Sequence, residues 1–370
     1  MKNIQIRKNI AVLSLLLFTV GCAAVPGGDR VIIDEPGKTI TVIEETPEDN
    51  RKPVISVVKI DRFDNMEISD WLNEHTLIVS KENTTLDKMD IPEASGTHPK
   101  SIYTYDLNGD KYQLIKAMNG GNLGGAVLSS DRRTLLYHEF TVGDPSFYLM
   151  DMDSDDEPLA LGKMITSAMS AKWAADDSVI GASYNGGAYV SDPSGNVTFV
   201  EGLKNESLIV TDKVSGFLYY TLPDETLWKM DLQTREKVSL GLSNVYSLSH
   251  SPDGREILVV QSDGAKFTLS LYDTEGANRT LIAEGQEIGA VSWSPDQRMI
   301  AYQMKNDADG RSTSGLYVHD MLTGETSRIA VDVAPYATTW SPSGKELVFN
   351  ETDGTSNHSS IVYLDFSLDQ

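Results

Sequence analysis

The sequence predicts an all-β chain built as a single β-propeller of seven four-stranded blades, and three observations carry that prediction. A phrase of apolar run, turn and apolar run recurs as "LSHSPDGREILVV" from Leu248, "VSWSPDQRMIAYQ" from Val291 and "TTWSPSGKELVFN" from Thr338. A strand-like run closing on Asp occurs at Asp106, Asp151, Asp192, Asp231, Asp273, Asp320 and Asp365, at intervals of 39 to 47 residues. Four of the five tryptophans, Trp71, Trp173, Trp293 and Trp340, fall at one position of the repeating unit. Periods of this length belong to sheets repeated around an axis. A six-bladed ring, with one faint copy as decoration, is the alternative.

Each unit reads as four strands, A to D from centre to rim. Strand A leads into the Ser-Pro-Asp-Gly turn, where Pro pre-sets φ and Gly takes the left-handed conformation. Strand B follows as a short β-branched or aromatic run such as "EILVV" or "ELVFN". Strand C ends in the marker Asp, whose side chain folds onto backbone N–H groups two residues on, so these seven carboxylates read as structural. Strand D is the next run, as in "KYQLIK", "NVTFVEG" and "RTLIAEG". The recurring Trp reads as a wedge between neighbouring sheets. Leu128, Val210 and His250 take its place in the other units; fainter copies of the opening phrase begin at Asp70, Ala126, Ala171 and Leu208.

The two ends of the repeat region complement each other. The last C strand ends at Asp365 and the chain stops at Gln370, too soon for a D strand. "PVISVVKIDRF" from Pro53 precedes the first A strand and has no blade of its own. Residues 54–60 are therefore expected as strand D of the last blade, closing the ring.

Ahead of the propeller, expected over 53–370, lie two segments. Residues 1–21 carry Lys2, Arg7 and Lys8, then the apolar run from Ile10 to Val20, which describes a signal peptide. The run is about half the length of a membrane span. "TVGC" resembles the bacterial lipobox, which implies covalent lipid on the Cys22 sulfur and an extracytoplasmic, membrane-anchored protein. Residues 22–52 read as an acidic tether, with a hairpin around Pro36-Gly37. Cys22 is the only cysteine, so no disulfide forms within the chain. A formal charge of -23 excludes nucleic acid, which needs basic surface, and leaves the lipid as the route to the membrane.

The pattern W-S-P-D-G-[KR]-x-[IL]-[AV]-[FY], met best at Trp293–Tyr302 and Trp340–Phe349, is similar to the repeat of TolB-like and WD40-like propellers. The resemblance covers residues 66–370 and implies the fold rather than an activity. TolB itself carries an α/β domain before its propeller and is not lipidated. A lipid anchor directly followed by such a propeller looks more like the YqgU-like lipoproteins of Firmicutes, which implies a tethered propeller on the outer face of the membrane.

Catalytic signatures are absent: there is no G-x-S-x-G elbow, no H-E-x-x-H and no cysteine pair. His75, His98, His138, His250, His319 and His358 are scattered. "DMDSDDE" from Asp151 and "NDADG" from Asn306 invite calcium, yet neither fits the twelve-residue loop, and solvated turns are the better reading. The three longest B–C connections are Lys81–Lys100, Lys305–Ser314 and Asn350–Ser359, in units 1, 6 and 7, which become neighbours once the ring closes. Long connections on a rigid scaffold are where binding residues gather. The candidate partner-binding rim is Asp87, Asp90, Glu93, His98, Asp307, Asp309, Arg311, Glu351, Asp353 and His358. The expected function is a monomeric, non-catalytic binding or scaffold propeller for a protein, a peptide or a cell-wall ligand, with no cofactor beyond the lipid. The alternative is a lactonase- or lyase-type enzyme with a cation in the channel, fed by Asp64, Glu67, Glu284, Glu287 and Asp332.

Overall fold

The computed structural model describes residues 30–35, 38–43, 55–90, 96–141, 145–154, 156–161, 170–308, 311–354 and 356–366. The signal segment, Cys22 and much of the tether lie outside the described residues. Strands β1 (Arg30–Glu35) and β2 (Lys38–Ile43) pair antiparallel on either side of Pro36-Gly37, where the hairpin was expected.

Seven four-stranded antiparallel sheets follow β3 (Ser56–Asp64). Blade 1 is β4 (Met66–Asn73), β5 (Thr76–Glu82), β6 (Lys100–Asp106) and β7 (Lys111–Lys116). Blade 2 is β8 (Asn122–Leu128), β9 (Thr134–Phe140), β10 (Ser146–Asp151) and β11 (Leu159–Ala160). Blade 3 is β12 (Lys172–Trp173), β13 (Val179–Ala182), β14 (Ala188–Ser191) and β15 (Val197–Phe199). Blade 4 is β16 (Thr211–Val214), β17 (Phe217–Thr221), β18 (Leu227–Asp231) and β19 (Lys237–Ser239). Blade 5 is β20 (Val245–His250), β21 (Glu256–Ser262), β22 (Phe267–Asp273) and β23 (Thr280–Gly285). Blade 6 is β24 (Glu287–Trp293), β25 (Met299–Ala308), β26 (Arg311–Asp320) and β27 (Thr326–Val331). Blade 7 is β28 (Ala337–Trp340), β29 (Glu346–Thr352) and β30 (Asn357–Asp365), completed by β3. The ring thus closes as expected: β3 pairs antiparallel with β30 from Ser56↔Asp365 to Asp64↔His358, running on past residue 60.

The turn chemistry explains the punctuation. Six marker acids, from Asp106 to Asp320, accept a hydrogen bond from the backbone N–H of the residue two on or, at Asp192, four on. In the A–B turns, Ser251 donates to Asp253 and Ser294 donates to Asp296. Position four of that turn is left-handed whether or not it is glycine: Gly254 has φ 69° and Gln297 has φ 63°.

Burial follows from each sheet lying between two others. Strand B is enclosed on both faces, so Leu77, Ile78 and Val79 are all fully buried and the run is continuously apolar. The apolar interior is divided into seven clusters, one at each blade boundary. At the closing boundary, Trp71, Leu77 and Val79 of blade 1 meet Val348 and Ile361 of blade 7. The wedge position faces the preceding blade, as Trp71, Trp173, Trp293 and Trp340 each join the cluster shared with it.

Blade 4 corrects one assignment. Lys213, not Val210, stands in the wedge position: it pairs with Leu218 as His250 pairs with Ile257. The β16–β17 turn holds only Ser215 and Gly216, three residues fewer than the β20–β21 turn, so the sequence register slips by three. Buried Lys213 reaches back to blade 3, pairing with Asp176 and donating to Ser178 Oγ at 3.1 Å.

Candidate functional site

The antiparallel order of each blade places all B–C and D–A connections on one face, here the upper, and all A–B and C–D connections on the lower. The elaborated connections of blades 6, 7 and 1 therefore stand side by side on the upper face. Their form differs from the loops that the sequence suggested. In blade 6, β25 and β26 stay paired beyond the sheet, through Asn306↔Thr313 and Asp307↔Ser312 to Ala308↔Arg311. In blade 7, β29 and β30 stay paired to Thr352↔Asn357. Among the described residues of these three connections, those of blade 1 are irregular, with Met89 buried and its N–H donating to Thr97 O at 2.9 Å. Asn83 ties both ends of that loop, its N–H to Pro99 O and its side-chain amide to Ser101 Oγ. A ribbon keeps its register by hydrogen bonding and presents a stiffer surface than a free loop of equal length.

The expected rim residues separate into three groups. Asp87, Asp90 and Asp353 are exposed on the upper face. His98, Glu351 and His358 are half-buried and already engaged: His98 Nδ1 lies 2.8 Å from Leu86 O, and Glu351 Oε1 accepts from Ala334 N at 3.0 Å. Glu93 and Asp309 lie outside the described residues, and Asp307 and Arg311 are placed by backbone only, on the two sides of the blade 6 ribbon.

His358 sits between two carboxylates, with Nδ1 at 2.7 Å from Asp64 Oδ1 and Nε2 at 3.3 Å from Asp353 Oδ2. Burial raises the Asp64 carboxyl somewhat, but hydrogen bonds from His358 and Arg62 outweigh it and leave the group below its ordinary range. Both ring nitrogens are engaged, and among the described residues no hydroxyl hydrogen-bonds to this imidazole. Nucleophilic catalysis by a hydroxyl needs that contact. The arrangement works as a strut that pins the blade 7 ribbon to the closing strand. Beside it, Asn357 Nδ2 donates to Glu67 Oε2 at 2.9 Å, and the Tyr336 hydroxyl donates to the same carboxylate, crossing from blade 7 to blade 1.

The five carboxylates considered for a channel cation are dispersed. Asp64 and Glu67 are held as described, and Glu284 pairs with Lys266. Among the described residues, no three His, Cys, Asp or Glu side chains come together as a metal site. The inner strands carry instead a run of ionic contacts across blades. Asp212 of blade 4 lies 2.9 Å from Lys172 Nζ of blade 3 and 3.0 Å from His250 Nδ1 of blade 5. Asp70 of blade 1 accepts from Leu128 N of blade 2 at 2.7 Å and from Arg132 at 3.1 Å.

One upper-face feature had no signal in the repeat pattern. Between blades 5, 6 and 7 opens a cleft of about 520 Å³, walled by the rings of Tyr246, Phe267 and Tyr336. It arises from β-bulges, which add single residues to inner strands without disturbing the hydrophobic period.

No described protein family and no curated protein matches this chain. Solved structures do. An oligogalacturonate lyase in complex with manganese aligns over 91% of this chain and 96% of its own, at 13% identity and a TM-score of 0.60. The β-propeller domain of Cps50 (Swd1) from Myceliophteria thermophila aligns over 84% and 99%, at 12% identity and 0.58. TolB from Acinetobacter baumannii aligns over 78% and 79%, at 14% identity and 0.45, too loosely to bear weight. Likeness at these identities shows the fold alone, and that fold serves both a lyase and propellers of other kinds.

Proposed function

We propose that this chain is a lipid-anchored, extracytoplasmic propeller that binds a protein, peptide or cell-envelope ligand on its upper face and carries out no chemistry of its own. The observation that carries the reading is the clustering of the two raised ribbons and the one long packed loop in adjacent blades 6, 7 and 1. Connections elaborated by continued backbone pairing suit recognition, because the paired part loses little ordering entropy on binding. Strand β3 itself enters at the lower face, where Ser56 lies beside Asp365. The YqgU-like resemblance belongs to this proposal and agrees with it.

The test is to replace residues 306–313 and 352–357 by two-residue turns, shorten 84–98, and compare ligand capture from membrane fractions with that of the parent protein. Capture is expected to disappear while the trimmed protein still unfolds in one cooperative transition. Equal capture by the trimmed protein places binding elsewhere and refutes the reading.

A further inference from the structure

The cleft between blades 5, 6 and 7 has the chemistry of a receptor for one particular kind of group. Its first wall is made by a bulge. β20 shifts register between Val245 and Ser247, so Tyr246 has no partner opposite and turns outward, 62% exposed. Its ring meets Phe267 edge-on, with centroids 5.5 Å apart. β24 shifts register between Gly289 and Ser292, with Ala290 left-handed at φ 49°. A bulge re-aims side chains and interrupts packing, and two at matching places in adjacent inner strands open the floor here. The far wall is Tyr336, 45% exposed, its hydroxyl held by Glu67.

The floor is polar at one point: Gln303, 4% exposed, lines the cleft. Its Oε1 points over Gly289, 3.7 Å from where a Cβ would stand. Glu287 stands exposed at the lip.

Three rings, an amide oxygen and a carboxylate form the surroundings in which a cation is attracted to ring faces and loses little on leaving water. The surrounding charge points the same way, as the chain carries a formal -23. We propose that the cleft seats a Lys or Arg side chain of an extended basic peptide, with Tyr246, Phe267 and Tyr336 as its cage and Gln303 and Glu287 as its polar contacts. This rests on the binding reading above and names the ligand class. The blade 6 ribbon continues directly from the strand that carries Gln303, so the rest of the peptide lies along the expected rim.

The probe is a fluorescein-labelled peptide of alternating Lys and Ser, titrated against the full chain by anisotropy. Saturable binding is expected, about tenfold weaker with Tyr246→Ala and with norleucine in place of Lys, and weakened but not abolished at high salt. Tyr246→Ala changes an exposed side chain, and an unchanged melting curve certifies its fold. Gln303→Leu is the second variant and is expected to weaken binding as well. Three results overturn the proposal: no saturable binding; equal affinity with Tyr246→Ala; or binding only by a labelled proline-rich peptide or a chitin tetrasaccharide. Loss of capture on trimming the ribbons together with equal capture by Tyr246→Ala refutes the cage while leaving the binding function standing.

Discussion

Asp212 keeps a charge in one of the least exposed places in the molecule, between Lys172 and His250 on the channel side of three consecutive blades. Burial pushes its carboxyl up, but the ammonium of Lys172 and the imidazole of His250 outweigh that and hold it down at about 2. Removing one member of such a group costs more than its presence contributes, because the remaining charge is left without its partner. A carboxyl depressed in the folded state supplies stability that is complete above its ordinary value near 4 and is lost as pH falls from there through about 2. Asp212→Asn is therefore expected to lower the unfolding free energy at pH 7 by about 2 kcal/mol. The gap should narrow as pH falls below about 4 and close only below about pH 2, where the native carboxylate is neutralised as well. Urea titrations at both pH values check this; a gap that persists in acid shows that the carboxylate charge is not what stabilises the fold. Lys213 shows a related economy, as its stem fills a tryptophan's place while its ammonium finds Asp176 one blade back.

At the scale of elements, β3 matters most, because it alone is supplied from the opposite end of the chain. Its neighbour β30 would otherwise present a nine-residue open edge, and unpaired edges of that length recruit other chains. A chain beginning at Met66 is expected to aggregate or to unfold far below the parent. Adding a synthetic peptide covering 54–65 should restore part of the monomer. A folded monomer with an unchanged melting temperature would show that closure contributes nothing. This pairing was legible in advance because two counts had to agree, a last unit lacking one strand and a first unit preceded by one too many. The marker acids were legible for a similar reason, since each Asp meets its own turn locally. The wedge in blade 4 was not, because a turn shortened to Ser215-Gly216 moves the register without altering the apolar rhythm. The ribbons of blades 6 and 7 also escaped notice. Polar residues such as Asn306 and Asp307 read as a loop, whereas backbone pairing continues through them whatever their side chains. The aromatic cleft was hidden more deeply still, since Tyr246 owes its exposure to one inserted residue and resembles any other aromatic of an inner strand.

For the whole molecule the question is what holds it in place. The acidic surface repels anionic lipid, and the proposed attachment is the lipid on Cys22. One acyl chain gives marginal binding and two give stable anchoring. Cys22→Ser is expected to move the protein from the membrane pellet to the soluble fraction with an unchanged melting temperature. Retention in the pellet would show that something other than lipid attaches it.

The joining of Ser56 to Asp365 also bears on how the molecule comes into being. The partner of the first propeller strand is β30, the last strand of the ring to be made, so a nascent chain cannot complete the circle before β30 has been synthesised. Contacts of such sequence separation form slowly, and until they form the first blade lacks its neighbour on one side. Until β30 has been made the ring stays open, and the apolar side of blade 1 that meets Val348 and Ile361 is left bare.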